Sequence, residues 1–456
     1  MGQEVILKAD YVITMDRENR VIKDGAVLVR NGKIEAVGQW SDIEVAHPGV
    51  TVRSGGDRIL MPGIVNGHCH SGLLRGTAEG LPVWDWLRMF IDPMHRVLNA
   101  EEAEAASWLC YAESALSGTT TIVDMWRYMH GSARASESLG TRAVLVPYVG
   151  EHPDYNYFET LDSNEQLLSE WHRKCDGRIN VWVGLEHLFY ATEDKYRDFI
   201  DLAKKYDTGF HTHSNEAEIE LREMDKRYGK RSIHVLRDLG FFEPRNTLLA
   251  HCVWLDDSEI EVLAEHSVGV AHNPVSNMKL ASGIAPVEKL LDAGVNVSIG
   301  TDGEKENNNL DMFDDIKCTS LLGKLNELNA SAMDAWDVLR MATIMGAATI
   351  GLDHEIGSIE IGKKADLIQV RTDTPRMTPL IGEGEHFNLH HNLVHSARGS
   401  DVDLTMVDGK IVAEAGELKN AEVSDLIKGV HDVIPDLFNR RAEFLAENSG
   451  GAVSPV

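Results

Sequence analysis

Cysteine is scarce in this chain. Five occur in 456 residues (Cys69, Cys110, Cys175, Cys252 and Cys318), an odd number, scattered, with no Cys-x-x-Cys pair. That excludes a disulfide framework and points to a reducing compartment. Positive charge is also short: 44 lysines and arginines face 72 acids, a formal charge of -28. Such a balance opposes nonspecific binding to nucleic acid or anionic membranes and leaves small molecules as the expected partners. Read most simply, the acidity serves solubility; it says nothing of the substrate's charge. No run of about eighteen apolar residues offers a membrane span, and the N-terminus lacks a basic segment followed by an apolar one. A cytoplasmic protein is therefore expected.

The length suits one barrel of about 250 residues plus a smaller domain. Residues 1–60 alternate apolar and polar side chains and carry turn signals such as Asn31-Gly32. The same texture returns after Gly357, with Asp408-Gly409 as a turn. Residues 1–60 and 356–420 are therefore expected to pair into a small β-sandwich, with a (β/α)8 barrel inserted at 61–355 and a helical extension at 421–456. Within the insert, eight apolar segments alternate with helix-period stretches: 61–67, 118–125, 142–148, 179–186, 208–213, 246–251, 267–272 and 295–301. The clearest helices span Tyr196 to Lys205, Glu259 to His266 and Val287 to Leu291. This is an α/β chain of the TIM-barrel class.

Several of these segments end in a residue able to hold a metal. His68 and His70 lie two apart and project on one face of a strand, with Cys69 on the other. His213 ends a later strand, with Glu216 three residues on; His251 ends the next, and Asp302 follows the last. Three histidines and a carboxylate can hold one divalent metal and a water. A glutamate such as Glu216 can take a proton from that water and return it to a leaving nitrogen, although taken alone it reads better as an ordinary helix-capping acid. His251 can polarise the substrate or add a further ligand, and Asp302 can also accept a hydrogen bond from the water. Barrel enzymes keep their sites at the carboxyl ends of the strands, where all these residues fall. No lysine ends the fourth strand to bridge two metals, so one metal per subunit is expected.

These motifs resemble the amidohydrolase superfamily, in the branch holding cytosine-deaminase-like enzymes, adenosylhomocysteine deaminases and s-triazine hydrolases. The markers are Met61 to His70, Leu74-Arg75-Gly76, Ser117-Gly118-Thr119-Thr120-Thr121, His272 to Lys279, Asn307 to Met312 and Gly357-Ser358-Ile359. The resemblance implies that His68, His70, His213 and Asp302 bind zinc, with iron as the alternative. It also implies that Glu216 shuttles protons, that His251 acts on the substrate, and that the protein is a homo-oligomer.

Departures from the branch bear on the substrate. Trp84-Asp85-Trp86 stands where nucleoside deaminases carry a glutamate associated with ribose hydroxyls. No arginine occurs between Arg142 and Arg173 to receive a substrate carboxylate, and Gly-Pro-His becomes Gly184-Leu185-Glu186-His187. Trp84, Trp86, Trp126 and Tyr128, with Glu186 and His187, then suggest an aromatic pocket for a neutral, compact ligand; packing of loops onto the barrel is the other account of the aromatics. The expected reaction is attack of metal-activated water on an sp2 carbon of a neutral nitrogen-rich compound. Substituted triazines losing amine or chloride, phenylureas and thiocarbamates are its candidates. Deamination of an adenosylhomocysteine- or methylthioadenosine-type nucleoside is the alternative, and a catalytically inactive structural relative is the reading from another class.

Overall fold

The computed structural model describes residues 4–448. Strands from both ends of the chain make one mixed sheet of eight, in the order β17-β16-β15-β14-β4-β1-β2-β3. Their bounds are β1 Glu4–Ile13, β2 Val21–Arg30, β3 Lys33–Gln39, β4 Val52–Pro62, β14 Leu367–Arg371, β15 Val402–Val407, β16 Lys410–Glu414 and β17 Glu417–Leu418. The sheet wraps around its own apolar interior, where Leu7, Val27, Leu60, Leu367, Leu404 and Met406 pack together. Two turns foreseen from Asn-Gly and Asp-Gly meet where it curls over. All four residues have positive φ (Asn31 52°, Gly32 79°, Asp408 49°, Gly409 71°), as type I′ hairpins require. A Cβ on Gly32 would stand 2.9 Å from the Asp408 carbonyl, so the contact admits only glycine there.

Parallel strands form the insert in two arcs. One is β5 Ile64–Cys69, β6 Thr119–Trp126, β7 Arg142–Pro147 and β8 Ile179–Val181; the other is β9 Val183–Gly184, β10 Phe210–Ser214, β11 Thr247–His251, β12 Gly269–His272 and β13 Val297–Ile299. Every residue of β6 and β7 is buried, as expected for strands covered by helices on one side and barrel interior on the other. The expected fourth strand, 179–186, is split at Trp182 into β8 and β9, because its amide turns to the Leu145 carbonyl while Val183 turns to Gly209. The expected first strand begins three residues late. Met61 and Pro62 pair with Ile368 and Leu367 in the other sheet, so β5 starts at Ile64. Between β13 and β5 the described residues show single bonds rather than a ladder. Asp302 N donates to His68 O at 3.0 Å, and Asn66 takes Thr301 N at 3.1 Å on its Oδ1 while its Nδ2 donates to Thr301 Oγ1 at 2.7 Å.

The C-terminal helix Val423–Glu447 lies against the helix Ala100–Leu116, where Arg440 binds Glu102 and the Val97 carbonyl. The expected extension runs on to 456, and its last eight residues lie outside the described residues.

One buried ion-pair cluster joins sheet and barrel. Arg142, at the start of β7, is inaccessible to solvent; its Nε and Nη2 reach both oxygens of Asp366 at 2.8 and 3.1 Å, and Nη2 also reaches Asp408 at 3.1 Å. Removing one partner of such a cluster strands the other charges without solvation. Arg142→Met is expected to cost about 3–5 kcal/mol of unfolding free energy. Denaturant melts should show the midpoint falling; an unchanged midpoint would mean that water or another cation replaces the guanidinium.

Candidate active site

The carboxyl ends of the barrel strands converge on four imidazoles and two carboxylates. His68 lies in β5 and His70 just past its end, His213 lies in β10, His251 ends β11 and Asp302 follows β13. Backbone geometry aims several of these groups. His251 (φ 72°), Asp302 (φ 58°) and Asn215 (φ 55°) all hold the left-handed conformation, uncommon outside glycine and concentrated at functional sites.

Hydrogen bonds fix which nitrogen of each ring is bare. His70 Nδ1 donates to the Met125 carbonyl at 2.6 Å, and His213 Nδ1 to the Glu186 carbonyl at 2.7 Å. His251 Nδ1 donates to Asn277 Oδ1 at 2.9 Å. For His68 the proton is set one residue further back. His211 Nδ1 donates to the Leu248 carbonyl at 2.7 Å, so its Nε2 accepts from His68 Nδ1 at 2.8 Å. All four Nε2 atoms are therefore lone-pair acceptors facing one point. His70 Nε2 and His213 Nε2 lie 3.1 Å apart with no proton left to share, and Asp302 Oδ1 stands 3.3 Å from both His68 Nε2 and His70 Nε2. His68 Nε2 and Asp302 Oδ1 are buried with no hydrogen-bond partner. Burial keeps the rings of His68, His70 and His213 neutral by depressing their pKa. Crowded lone pairs without donors are unfavourable alone and complementary to a cation, so the donor set fits a divalent metal.

Glu216 stands beside this cluster, buried, with Oε2 3.8 Å from His251 Nε2 and 3.9 Å from His187 Nε2. Its backbone N–H is anchored on Glu220 at 3.0 Å. Burial pushes its carboxyl up, against the pull of His251 and His187. The helix that follows begins at Glu218 with Ala217 as its cap, so Glu216 is neither helical nor a capping group. Glu186 accepts from Tyr148 Oη at 3.0 Å and from His187 Nδ1 at 2.8 Å. Burial lowers the His187 pKa, but Glu186 more than reverses this and holds it at about 9, so the ring is a cation with an unpartnered Nε2–H.

These groups line a narrow cleft with about 20 Å3 of free space, room for a water molecule. Trp86 and Trp126 line it, and each spends its indole N–H on a backbone carbonyl, of Ala78 and Ala103 respectively. Trp84 does not reach the lining. It packs on His187 with ring centroids 5.4 Å apart and so braces a wall, because the short helix Val83–Trp86 turns Trp84 and Trp86 to different sides. Tyr128 likewise supports a loop, donating to the Leu98 carbonyl. Sequence reasoning gave no role to His211, Asn277, Ser276, Lys305 or Glu306. The first histidine of His211-Thr212-His213 is visible in the sequence, but its pairing with His68 depends on strand register. Ser276, which donates to Asp302 Oδ2 at 2.6 Å, and Asn277 lie in a motif whose partners are far away in sequence.

Residues 59–412 match the amidohydrolase family, and 25–49 match an imidazolonepropionase-like composite domain of bacteria. The chain belongs to the amidohydrolase family. It is 41% identical over 414 residues to a 5′-deoxyadenosine deaminase of Methanosarcina acetivorans, covering 90% of this chain and 93% of that protein. A 5-methylthioadenosine/S-adenosylhomocysteine deaminase of Thermoanaerobacter pseudethanolicus is 37% identical over 441 residues, 96% of this chain and all of the relative. Among solved structures, an adenosine deaminase from Xanthomonas campestris with bound zinc superposes with a TM-score of 0.88 at 30% identity, over 95% of this chain and 98% of the other. An atrazine chlorohydrolase from Arthrobacter aurescens TC1 complexed with zinc gives 0.83 at 23% identity, over 94% and 100%, and shares the fold. This amidohydrolase is thus a metal-dependent enzyme acting on C–N bonds, and no helix among its described residues is long and apolar enough to cross a membrane.

Proposed function

We propose that this amidohydrolase is a zinc-dependent deaminase of adenosine nucleosides whose 5′ position carries a small uncharged group, with 5′-deoxyadenosine as the reference substrate. The observation that carries the reading is the likeness, across 90% of the chain, to 5′-deoxyadenosine deaminases. It replaces the neutral triazine, urea or thiocarbamate suggested by the aromatic residues, since the triazine hydrolases share the fold at 23–24% identity. The lack of an arginine between Arg142 and Arg173 still counts, but it discriminates among nucleosides. It disfavours a homocysteine carboxylate and leaves a 5′-deoxy or 5′-methylthio group acceptable.

In this reading His68, His70, His213 and Asp302 hold the ion, which acidifies water and polarises the electrophile when bound. Glu216 takes a proton as the C6–O bond forms and delivers it to the exocyclic nitrogen as the C6–N bond breaks, so one water is consumed and one ammonia released. His251, its Nε2 lone pair aimed inward by Asn277, orients the attacking group; His187 donates its Nε2 proton to a ring nitrogen or to developing negative charge.

Ammonia release by zinc-loaded protein tests this. 5′-Deoxyadenosine and 5′-methylthioadenosine should be turned over. S-adenosylhomocysteine should lag in kcat/KM by about 10- to 100-fold, the worth of one missing charged hydrogen-bond partner. Preferential turnover of atrazine over every adenosine compound would overturn the reading.

A further inference from the structure

Asp302-Gly303 is followed by three consecutive charged residues, Glu304, Lys305 and Glu306, that are only 4%, 2% and 4% exposed. Burying a charge is costly unless its partners are complete. Glu304 has a structural account: Oε1 accepts from Leu74 N at 3.0 Å and Oε2 is 4.0 Å from the Arg75 guanidinium, which ties down the loop after β5. Lys305 and Glu306 differ. Both line the cleft, and Lys305 Nζ lies 2.9 Å from Glu306 Oε1 and 5.8 Å from the centre of the Trp126 ring. An ammonium has three donors, so the Glu306 contact leaves capacity facing the cleft. Glu306 Oε2 is buried and has no hydrogen-bond partner. The backbone makes room for this pair: a Cβ on Gly303 would stand 2.2 Å from Glu306 Oε2 and 2.8 Å from Lys305 Nζ.

We infer that Lys305 and Glu306 form a hydroxyl-reading pair that selects the ribose of the substrate, the ammonium donating to a hydroxyl oxygen whose own proton goes to Glu306 Oε2. The inference rests on the nucleoside reading above. A hydroxyl is donor and acceptor at one atom, and the pair offers an acceptor and a donor side by side. Adenine ring nitrogens only accept, and the exocyclic amine, the donor of the base, belongs at the reacting carbon beside Glu216 in this reading, so the base would leave Glu306 Oε2 unmatched.

The experiment compares kcat and KM of zinc-loaded wild type, Glu306→Gln and Lys305→Met on 5′-deoxyadenosine, 2′,5′-dideoxyadenosine and 3′,5′-dideoxyadenosine. Zinc content and circular dichroism serve as fold controls, and if one variant does not fold the other decides. Wild type should lose about 10- to 100-fold in kcat/KM, mainly in KM, on removal of the hydroxyl that is read. Each folded variant should abolish most of that preference, treating the hydroxylated and deoxygenated substrates within about 3-fold of each other. Wild type indifferent to both hydroxyls, or variants that keep the preference, would overturn the inference while leaving the deaminase reading intact. No turnover of any adenosine compound would overturn both.

Discussion

Glu216→Gln is expected to lower kcat by about 10²- to 10⁴-fold, with metal content and KM close to wild type. The substitution keeps the side chain's size and its seat against His187 and His251, and removes the ability to carry a proton. Glu216 lies outside the crowded set of lone pairs: its nearest contacts there are 3.8 Å and 3.9 Å, against 3.1–3.3 Å among His68, His70, His213 and Asp302. Its carboxyl is raised by burial, which brings a proton carrier nearer to working pH and suits a group that must both take and give. A carboxamide there can still hydrogen-bond a bound nucleoside, so equilibrium binding should survive the loss of turnover. Turnover within a few-fold of wild type would remove Glu216 from the proton path. A fall in zinc content would instead make it a ligand.

The sequence made the site legible because ligand geometry in a barrel is local. His68 and His70 share a face by the two-residue period of a strand, and His213, His251 and Asp302 each announce themselves at the end of an apolar run. The strand-helix alternation of the insert and the pairing of both chain ends followed from the same periodicity and from Asn31-Gly32 and Asp408-Gly409. What stayed hidden depends on register and on contacts distant in sequence. The break at Trp182 answers to where the Leu145 carbonyl falls in the neighbouring strand. Trp84 and Trp86 part ways at the turn of a four-residue helix, Trp86 lining the cleft and Trp84 packing on His187. Lys305 and Glu306 look like a solvated charge run in sequence, and only the fold turns them into the cleft. The aromatic residues point toward a triazine-like ligand in the sequence because Trp84-Asp85-Trp86 stands in place of the glutamate associated with ribose hydroxyls; the missing arginine bears only on a charged 5′ tail.

Stripping the metal with a chelator should abolish turnover, and zinc should restore it. Elemental analysis of purified protein should find about one zinc per chain; stoichiometric iron with full activity would replace zinc in the reading. A sharper form of the same experiment uses His211, whose hydrogen bond to the proposed ligands, among the described residues, is to His68. With His211 Nδ1 committed to the Leu248 carbonyl, its Nε2 is the acceptor that fixes the His68 proton on Nδ1 and leaves Nε2 free for the ion. His211→Phe fills the space and removes that acceptor, so His68 can place its proton on either nitrogen, and the form protonated on Nε2 cannot bind metal. Zinc affinity should fall by about 10- to 100-fold, the usual cost of losing such a supporting bond. Competition with a chromogenic chelator reads this without any turnover assay. His211→Gln, whose side-chain oxygen can accept the same hydrogen bond, should recover part of the affinity. Equal affinities for wild type and both variants would show that His68 needs no such support and that His211 serves only to pack the barrel interior.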